Sequence, residues 1–343
     1  MESFLDELLA FRAEGRRVVW TIDGDAMTWT IEPPPAYFVH VPKTGGISLG
    51  RLLEDAYLPW DRVRLNPPVM RTVSLERFRR FRFYHSFHQG RQLLEMTGRS
   101  DLLTITMVRD PVERSVSQML YLQRIVREIP HTFTPEYLAS VAPIVNASLE
   151  DCVEHEAFAH ACDSQIRTLG VMEDYTPLFK GSPDATSGRS VLRPYSLPPL
   201  MDVDDKSQLL ANAKRWLSGI DVVGTTEQYR ESVLMVSDLL GIPFPAHLPM
   251  LNANPGRAGT ASHYRDKLPP KLLAQLEELT SHDREIYAFA TERFREQWSR
   301  YQSRPRRTYS IGAHVRQATM RLLHPALEPA RRFVKRIKAR VGR

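Results

Sequence analysis

Cysteine is nearly missing from this chain, with Cys152 and Cys162 the only two in 343 residues. Two thiols cannot build a disulfide framework, and their spacing matches no zinc-ligand pattern, so the expected setting is reduced and cytoplasmic, with no metal site. Long apolar runs are missing too. The opening Met1-Glu2-Ser3-Phe4-Leu5-Asp6-Glu7 is acidic and lacks the apolar stretch of a signal peptide or membrane anchor. Net positive charge is missing outside one end. From Arg304 to Arg343 twelve Lys and Arg face a single acid, Glu328, so that stretch carries +11 of a chain total of +6. The rest is net acidic, which argues against a nucleic-acid surface on the body. No internal repeat is present. What is present, 42% hydrophobic residues over this length, suffices for one substantial α/β core.

The first informative segment is His40-Val41-Pro42-Lys43-Thr44-Gly45-Gly46-Ile47-Ser48. It follows the apolar run Tyr37-Phe38-Val39 and precedes the helical-looking Leu49-Gly50-Arg51-Leu52-Leu53. A strand that feeds a lysine-bearing glycine turn opening a helix is a phosphate cradle. Turn amides and the helix N-terminus point at the anion, and the lysine adds a point charge. The nucleoside-triphosphate loop places its lysine after the glycines; here Lys43 precedes Gly45 and Gly46.

A second strand–turn–helix unit begins at Asp101-Leu102-Leu103-Thr104-Ile105-Thr106-Met107-Val108 and turns at Arg109-Asp110-Pro111. Asp110 suits an N-cap and Pro111 a first helical residue. Helical spacing puts Val112, Val116 and Met119 on one face and Arg114, Ser117 and Tyr121 on roughly the opposite one. Arg109 and Ser117 can then converge on one anion through a guanidinium fork and a hydroxyl.

The order Pro-Lys-Thr-Gly-Gly-x-Ser resembles the 5′-phosphosulfate loop of sulfotransferases that use 3′-phosphoadenosine 5′-phosphosulfate (PAPS), within them the carbohydrate, sulfotransferase family 2-like branch. Arg-Asp-Pro-x-x-Arg-x-x-Ser-x-x-x-Tyr resembles the 3′-phosphate motif of the same enzymes, and it lies 66 residues after Lys43. Weaker likenesses are the helix segment Cys162–Leu169, the strand-to-helix segment Asp221–Glu227 with the stripe Tyr229, Val233, Val236 and Leu240, and the late loop Asn252–Arg257. Together they span about residues 35–300.

The resemblance implies an α/β, three-layer P-loop-like fold, a central parallel sheet of four or five strands flanked by helices. It also implies sulfuryl transfer from PAPS to a hydroxyl of a carbohydrate or glycolipid. Lys43 would neutralise the leaving phosphate. Thr44, Gly45, Gly46, Ile47 and Ser48 would hold the 5′-phosphate, Arg109 and Ser117 the 3′-phosphate, and Arg257 would close over the cofactor. The acceptor hydroxyl must lose a proton, and histidine suits that task near neutrality. The segment Arg79–Gly90 alternates like a strand and carries His85 toward its end, with His88 as the rival base. His40 reads as a packed residue behind the loop, and no glutamate stands out as a carboxylate base. Two rival functions remain, a small-molecule kinase and a non-catalytic module docking on membranes. The kinase would need a Walker-type lysine and a magnesium-holding acid, which the motifs do not supply.

Three stretches follow: 1–35, an N-terminal helix over 2–13 and a hairpin with an Asp-Gly turn; 36–303, the sulfotransferase-like domain; and 304–343, the basic tail. Residues 180–206 read as a long loop and 270–301 as one long helix. In the tail, Phe333, Ile337 and Val341 recur every four residues among basic neighbours. That pattern fits a helix lying on anionic membrane, making the protein peripheral there, or a solvated charged end.

Overall fold

The computed structural model describes residues 18–23, 26–65, 67–87, 91–133, 135–155, 158, 162–171, 179–180, 206–245, 248 and 264–304. The N-terminal helix, the 181–205 stretch, His88, Arg257 and the basic tail lie outside the described residues.

The expected hairpin is present. Strands β1 (Val18–Asp23) and β2 (Ala26–Ile31) pair antiparallel in the register Val18↔Ile31 through Asp23↔Ala26. The core is a second sheet of five parallel strands: β3 (Ala36–His40), β4 (Arg62–Leu65), β5 (Phe83–Phe87), β6 (Leu103–Val108) and β7 (Val222–Thr225), in the order β4-β5-β3-β6-β7. Strands β3, β5, β6 and β7 are buried almost throughout, as a parallel sheet covered on both faces requires, whereas the edge strand β4 reads Arg-Val-Arg-Leu with Arg64 exposed.

Side chains alternate across β3. Ala36 and Phe38 face helix α1 (Gly46–Glu54) and a later helix, Tyr229–Leu240, through Leu49, Leu52, Leu53, Val233 and Val236. Tyr37 and Val39 face the opposite layer. That layer comprises α2 (Arg91–Met96), Ser164–Gly170, Lys206–Ser218 and part of the last helix. The result is a three-layer α/β sandwich. In chain order the other helices used below are α3 (Pro111–Glu128), α4 (Ser164–Gly170), α5 (Lys206–Ser218), α6 (Tyr229–Leu240), α7 (Pro270–Leu279) and α8 (Ser281–Gln302). A third apolar cluster joins α3 and α7 to the short helices between 135 and 153.

The helical pattern over 270–301 is broken where one helix was expected. Thr280 (φ −108°, ψ 22°) ends α7, its hydroxyl turned back onto the Leu276 carbonyl. The break frees the amide of Asp283, which donates to Asp163 at 3.1 Å. α8 then guards the sheet edge: Gln297 accepts from the Val223 amide at 2.8 Å and donates to the Ile220 carbonyl at 2.9 Å. Covering an edge strand in this way removes a pairing site for other chains. Among the described residues, no helix is long and apolar enough to cross a membrane.

Candidate anion-binding site

The strand order reverses at β3, which lies between β5 and β6. Open α/β sheets bind ligands beyond the carboxyl ends of their strands at such a point. Two loops meet there, Val41–Gly45 after β3 and Arg109–Asp110 after β6.

The first loop turns through two left-handed residues, Lys43 (φ 70°) and Gly45 (φ 78°). Glycine adopts this region without penalty, whereas lysine does so at a cost of about 1–2 kcal/mol. Backbone strain of this kind collects at functional sites. Three bonds hold the loop against it. The Thr44 hydroxyl donates to the Val41 carbonyl at 2.7 Å, while the Thr226 hydroxyl donates to the Thr44 carbonyl at 2.8 Å. The Thr226 amide in turn donates to the Val108 carbonyl at 2.9 Å, so the ends of β6 and β7 are tied to the loop. The first α1 amides to find acceptors are those of Ser48 and Leu49, both on the Gly45 carbonyl. The amides of Gly45, Gly46 and Ile47 meet no acceptor among the described residues. Open amides at a helix N-terminus attract an anion.

The second loop is built just as firmly. Asp110 caps α3 by accepting from the Glu113 amide at 3.0 Å, with Pro111 in the first turn. Gln165 clamps the Arg109 peptide, accepting from its amide at 3.0 Å and donating to its carbonyl at 2.9 Å. The Arg109 guanidinium reaches the Lys43 carbonyl at 3.2 Å and the Glu113 carboxylate at 2.9 Å. Arg109 thus joins the two loops. Arg114 departs from its expected polar face: it is fully buried and lies 3.8 Å from Asp283, itself fully buried at the start of α8. Asp283 also accepts the amides of Gln165 and Ile166. Burial, opposed by Arg114 and reinforced by the Asp163 carboxylate, raises the Asp283 carboxyl above its ordinary range.

Lys43 has a different environment. Its ammonium sits 4.1 Å over the ring of Tyr121, one turn beyond the half-buried Ser117 on α3. Arg124 lies against the same ring at 5.6 Å. Burial, and then the cations Arg124, Arg109 and Arg114, lower the Lys43 ammonium to about 8. No carboxylate pairs with it among the described residues. A positive cluster beside three open amides is suited to hold an oxyanion of more than one charge.

The expected base stands elsewhere. His85 is the middle residue of β5 rather than its end, and it is fully buried. Both ring nitrogens are engaged: Nδ1 with Glu54 at 2.9 Å, Nε2 with Nδ1 of His40 at 3.0 Å. Glu54, the last residue of α1, also takes a two-pronged bond from Arg64 on β4, one prong at 2.7 Å. Burial alone would raise the Glu54 carboxyl, but His85 and Arg64 prevail and hold it well below the usual carboxylate range. Burial lowers the His85 imidazole against the pull of Glu54. As placed, His85 reaches a ligand only through His40, so the expectation that it stands at a strand end is corrected.

Of the residues named from the sequence, the structure brings together Lys43, Thr44, Gly45, Gly46, Ile47, Ser48 and Arg109, with Ser117 along α3. Thr44 contributes backbone only, since its hydroxyl is spent on Val41. Sequence reasoning missed Arg124, Gln165, Thr226 and Glu54 as parts of the site. Glu54 had a usable signal: Gly46, Gly50 and Glu54 recur every four residues, one helix face carrying two glycines and an acid. No family model matches the chain, and no curated protein does.

Proposed function

We propose that the protein is a PAPS-dependent sulfotransferase acting on a hydroxyl of a carbohydrate or glycolipid. The observation that carries this reading is Lys43, a cation without a carboxylate partner among the described residues, in the same turn as three open amides and tied through its own carbonyl to Arg109. Sulfuryl transfer has a loose transition state, by analogy with phosphoryl transfer, so catalysis is alignment plus neutralisation of the leaving phosphate. Lys43 supplies the neutralising charge where the bridging oxygen departs. Arg109 and Ser117 receive the 3′-phosphate, and the amides of Gly45, Gly46 and Ile47 receive the 5′-phosphate. A thermal-shift comparison of PAP (the PAPS product, adenosine 3′,5′-bisphosphate), ATP and buffer at equal concentration tests the assignment, because a ligand of the folded state stabilises it by RT ln(1 + [L]/Kd). A shift with PAP that exceeds the shift with ATP supports it. A shift with ATP alone would turn the reading toward a kinase. An acceptor screen with labelled PAPS against glycans and glycolipids then identifies the second substrate.

A further inference from the structure

Helix α3 is sunk in the protein along most of its length. From Pro111 to Val126 every residue is buried except Ser117, Leu120, Tyr121 and Arg124. Those four are spaced i, i+3, i+4 and i+7, so they form a single stripe on one helix face. From Ser117 to Arg124 the stripe runs about 10 Å. It borders the Lys43 loop, since the Lys43 ammonium stands 4.1 Å over the Tyr121 ring.

The polar groups of the stripe are unspent. The hydroxyls of Ser117 and Tyr121 meet no hydrogen-bond partner among the described residues. Long side chains on a helix lean toward its N-terminus, and the Arg124 guanidinium accordingly lies 5.6 Å from the centre of the Tyr121 ring. Its side chain is 31% exposed, so a ligand can reach it. Its carboxylate neighbour among the described residues, Glu128 at 4.0 Å, is 64% exposed. A pair that open is screened by solvent and holds the guanidinium weakly.

The cations of the site have separate tasks in the reading above. Arg109 bonds to Glu113 and to the Lys43 carbonyl, and with Ser117 it serves the 3′-phosphate. Lys43 and the three open amides serve the 5′-phosphate. Arg124 is left over, and it belongs to the 5′ side, because it weighs on the Lys43 ammonium more than Arg109 does. PAPS differs from PAP by one group, the sulfuryl on the 5′-phosphate. That group carries negative charge over three oxygens at a place where PAP has none.

We propose that Arg124, beside the Tyr121 hydroxyl, binds the sulfuryl oxygens of PAPS and so distinguishes the loaded donor from spent PAP. This rests on the sulfotransferase reading. In a loose transition state the bridging oxygen gains charge while the sulfuryl oxygens lose it, by analogy with phosphoryl transfer. Arg124 therefore holds the bound donor at least as firmly as the transition state. Its loss should raise KM for PAPS more than it lowers kcat, the reverse of Lys43.

Two measurements on the full chain test it. The first is calorimetric titration of the parent and of Arg124→Gln with PAP and, in the absence of acceptor, with PAPS. The variant should bind PAPS ~10-fold or more weakly, the scale of a lost charge-assisted hydrogen bond, and PAP within about threefold of the parent. If the ratio of the two dissociation constants changes by less than about fivefold, the proposal is overturned. The second is proton uptake on PAP binding at pH 9. Removing a neighbouring cation raises the Lys43 ammonium, so Arg124→Gln should take up less than the parent. Unchanged uptake would place Arg124 away from Lys43 and overturn the proposal as well. If neither nucleotide binds the parent, the cofactor reading itself falls and takes this proposal with it; if PAP binds and only the ratio stays put, the failure belongs to Arg124 alone.

Discussion

Gly50→Ala gives a sharp test of how α1 meets the sheet, because two ordinary rules predict opposite signs for it. Gly50 lies inside a helix, where alanine is better than glycine by about 0.8–1.0 kcal/mol. A helix considered alone therefore gains stability. The packing says otherwise. The new methyl would stand 2.9 Å from Nδ1 and 3.0 Å from Nε2 of His85, with Cε1 nearer still. That ring cannot move aside. Glu54 and His40 hold its two nitrogens, and Phe38 and Phe87 flank it with centroids at 5.1 and 4.4 Å. Overpacking a core costs about 1–3 kcal/mol. Forcing the ring off Glu54 forfeits a charge-assisted hydrogen bond of about 1.5–3 kcal/mol. Set against the helical gain, the net loss is about 1.5–5 kcal/mol. Urea unfolding followed by far-UV circular dichroism measures it. Gly98→Ala is the control, since it has φ +64° and nothing within 4 Å of the added methyl, and strain alone should cost it about 1 kcal/mol. A Gly50→Ala protein as stable as the parent would show that α1 does not rest on His85 as described.

The other predictions concern charge. Because Lys43 is held to about 8, bringing a phosphate to it should draw in a proton above that pH. Calorimetry at pH 9 in buffers of different ionisation heat should show uptake of up to about 0.9 proton per PAP bound, and none for Lys43→Met. Lys43→Ala should lower turnover ~10²–10³-fold with a much smaller loss of PAP affinity; a variant keeping a third of the parental rate contradicts the role given to its charge. Arg109→Ala should weaken PAPS binding more than Ser117→Ala, and both losses should shrink for a cofactor lacking the 3′-phosphate; equal losses with both nucleotides would rule out that contact. Asp283→Ala removes the carboxylate 3.8 Å from the buried Arg114 and the acceptor of two α4 amides, so it should cost about 3–5 kcal/mol in urea unfolding. A loss under about 1 kcal/mol would mean that Arg114 has another counterion.

What could be read from the sequence was local. The strand into Lys43, the Asp110–Pro111 cap and the β1–β2 hairpin each depend on residues within a few positions, and all three are present. The sheet followed from alternating strands and helices. Pairings across the chain were not legible. Arg114 looked solvated because its helical spacing grouped it with Ser117, and its counterion, Asp283, arrives on α8 far along the sequence. His85 looked like a strand-end base because alternation gives the face of a residue but not the strand boundary. Its burial depends on α1, and its partners Glu54 and His40 are 31 and 45 positions away. The break at Thr280 escaped notice for a similar reason: the apolar period continues through it, and what makes the break worthwhile is a distant acceptor, Asp163.

The allocation of acids among the cations separates scaffold from site. Arg64 has Glu54, Arg109 has Glu113, Arg114 has Asp283, and Arg124 lies 4.0 Å from Glu128. The Arg64–Glu54 and Arg114–Asp283 pairs tie separate elements together, whereas Arg109–Glu113 and Arg124–Glu128 are local pairs along α3 and the turn before it. Among the described residues Lys43 receives only a ring face. A cation over a partly buried tyrosine gains about 0.5–2 kcal/mol, less than a carboxylate would supply in the same surroundings. Burial and three guanidiniums raise the cost of its charge further, which is why its proton is loosely held. An oxyanion placed between Lys43 and the open α1 amides relieves all of these strains at once, supplying both the missing charge and the missing acceptor. Such a ligand should stabilise the fold by more than its contacts alone suggest. If the proposed function holds, the expected order of binding is the anionic cofactor first, since it would restore the full charge of Lys43, and a neutral hydroxyl acceptor second; product-inhibition kinetics with PAP check that order, and an acceptor that binds equally well without PAP would contradict it.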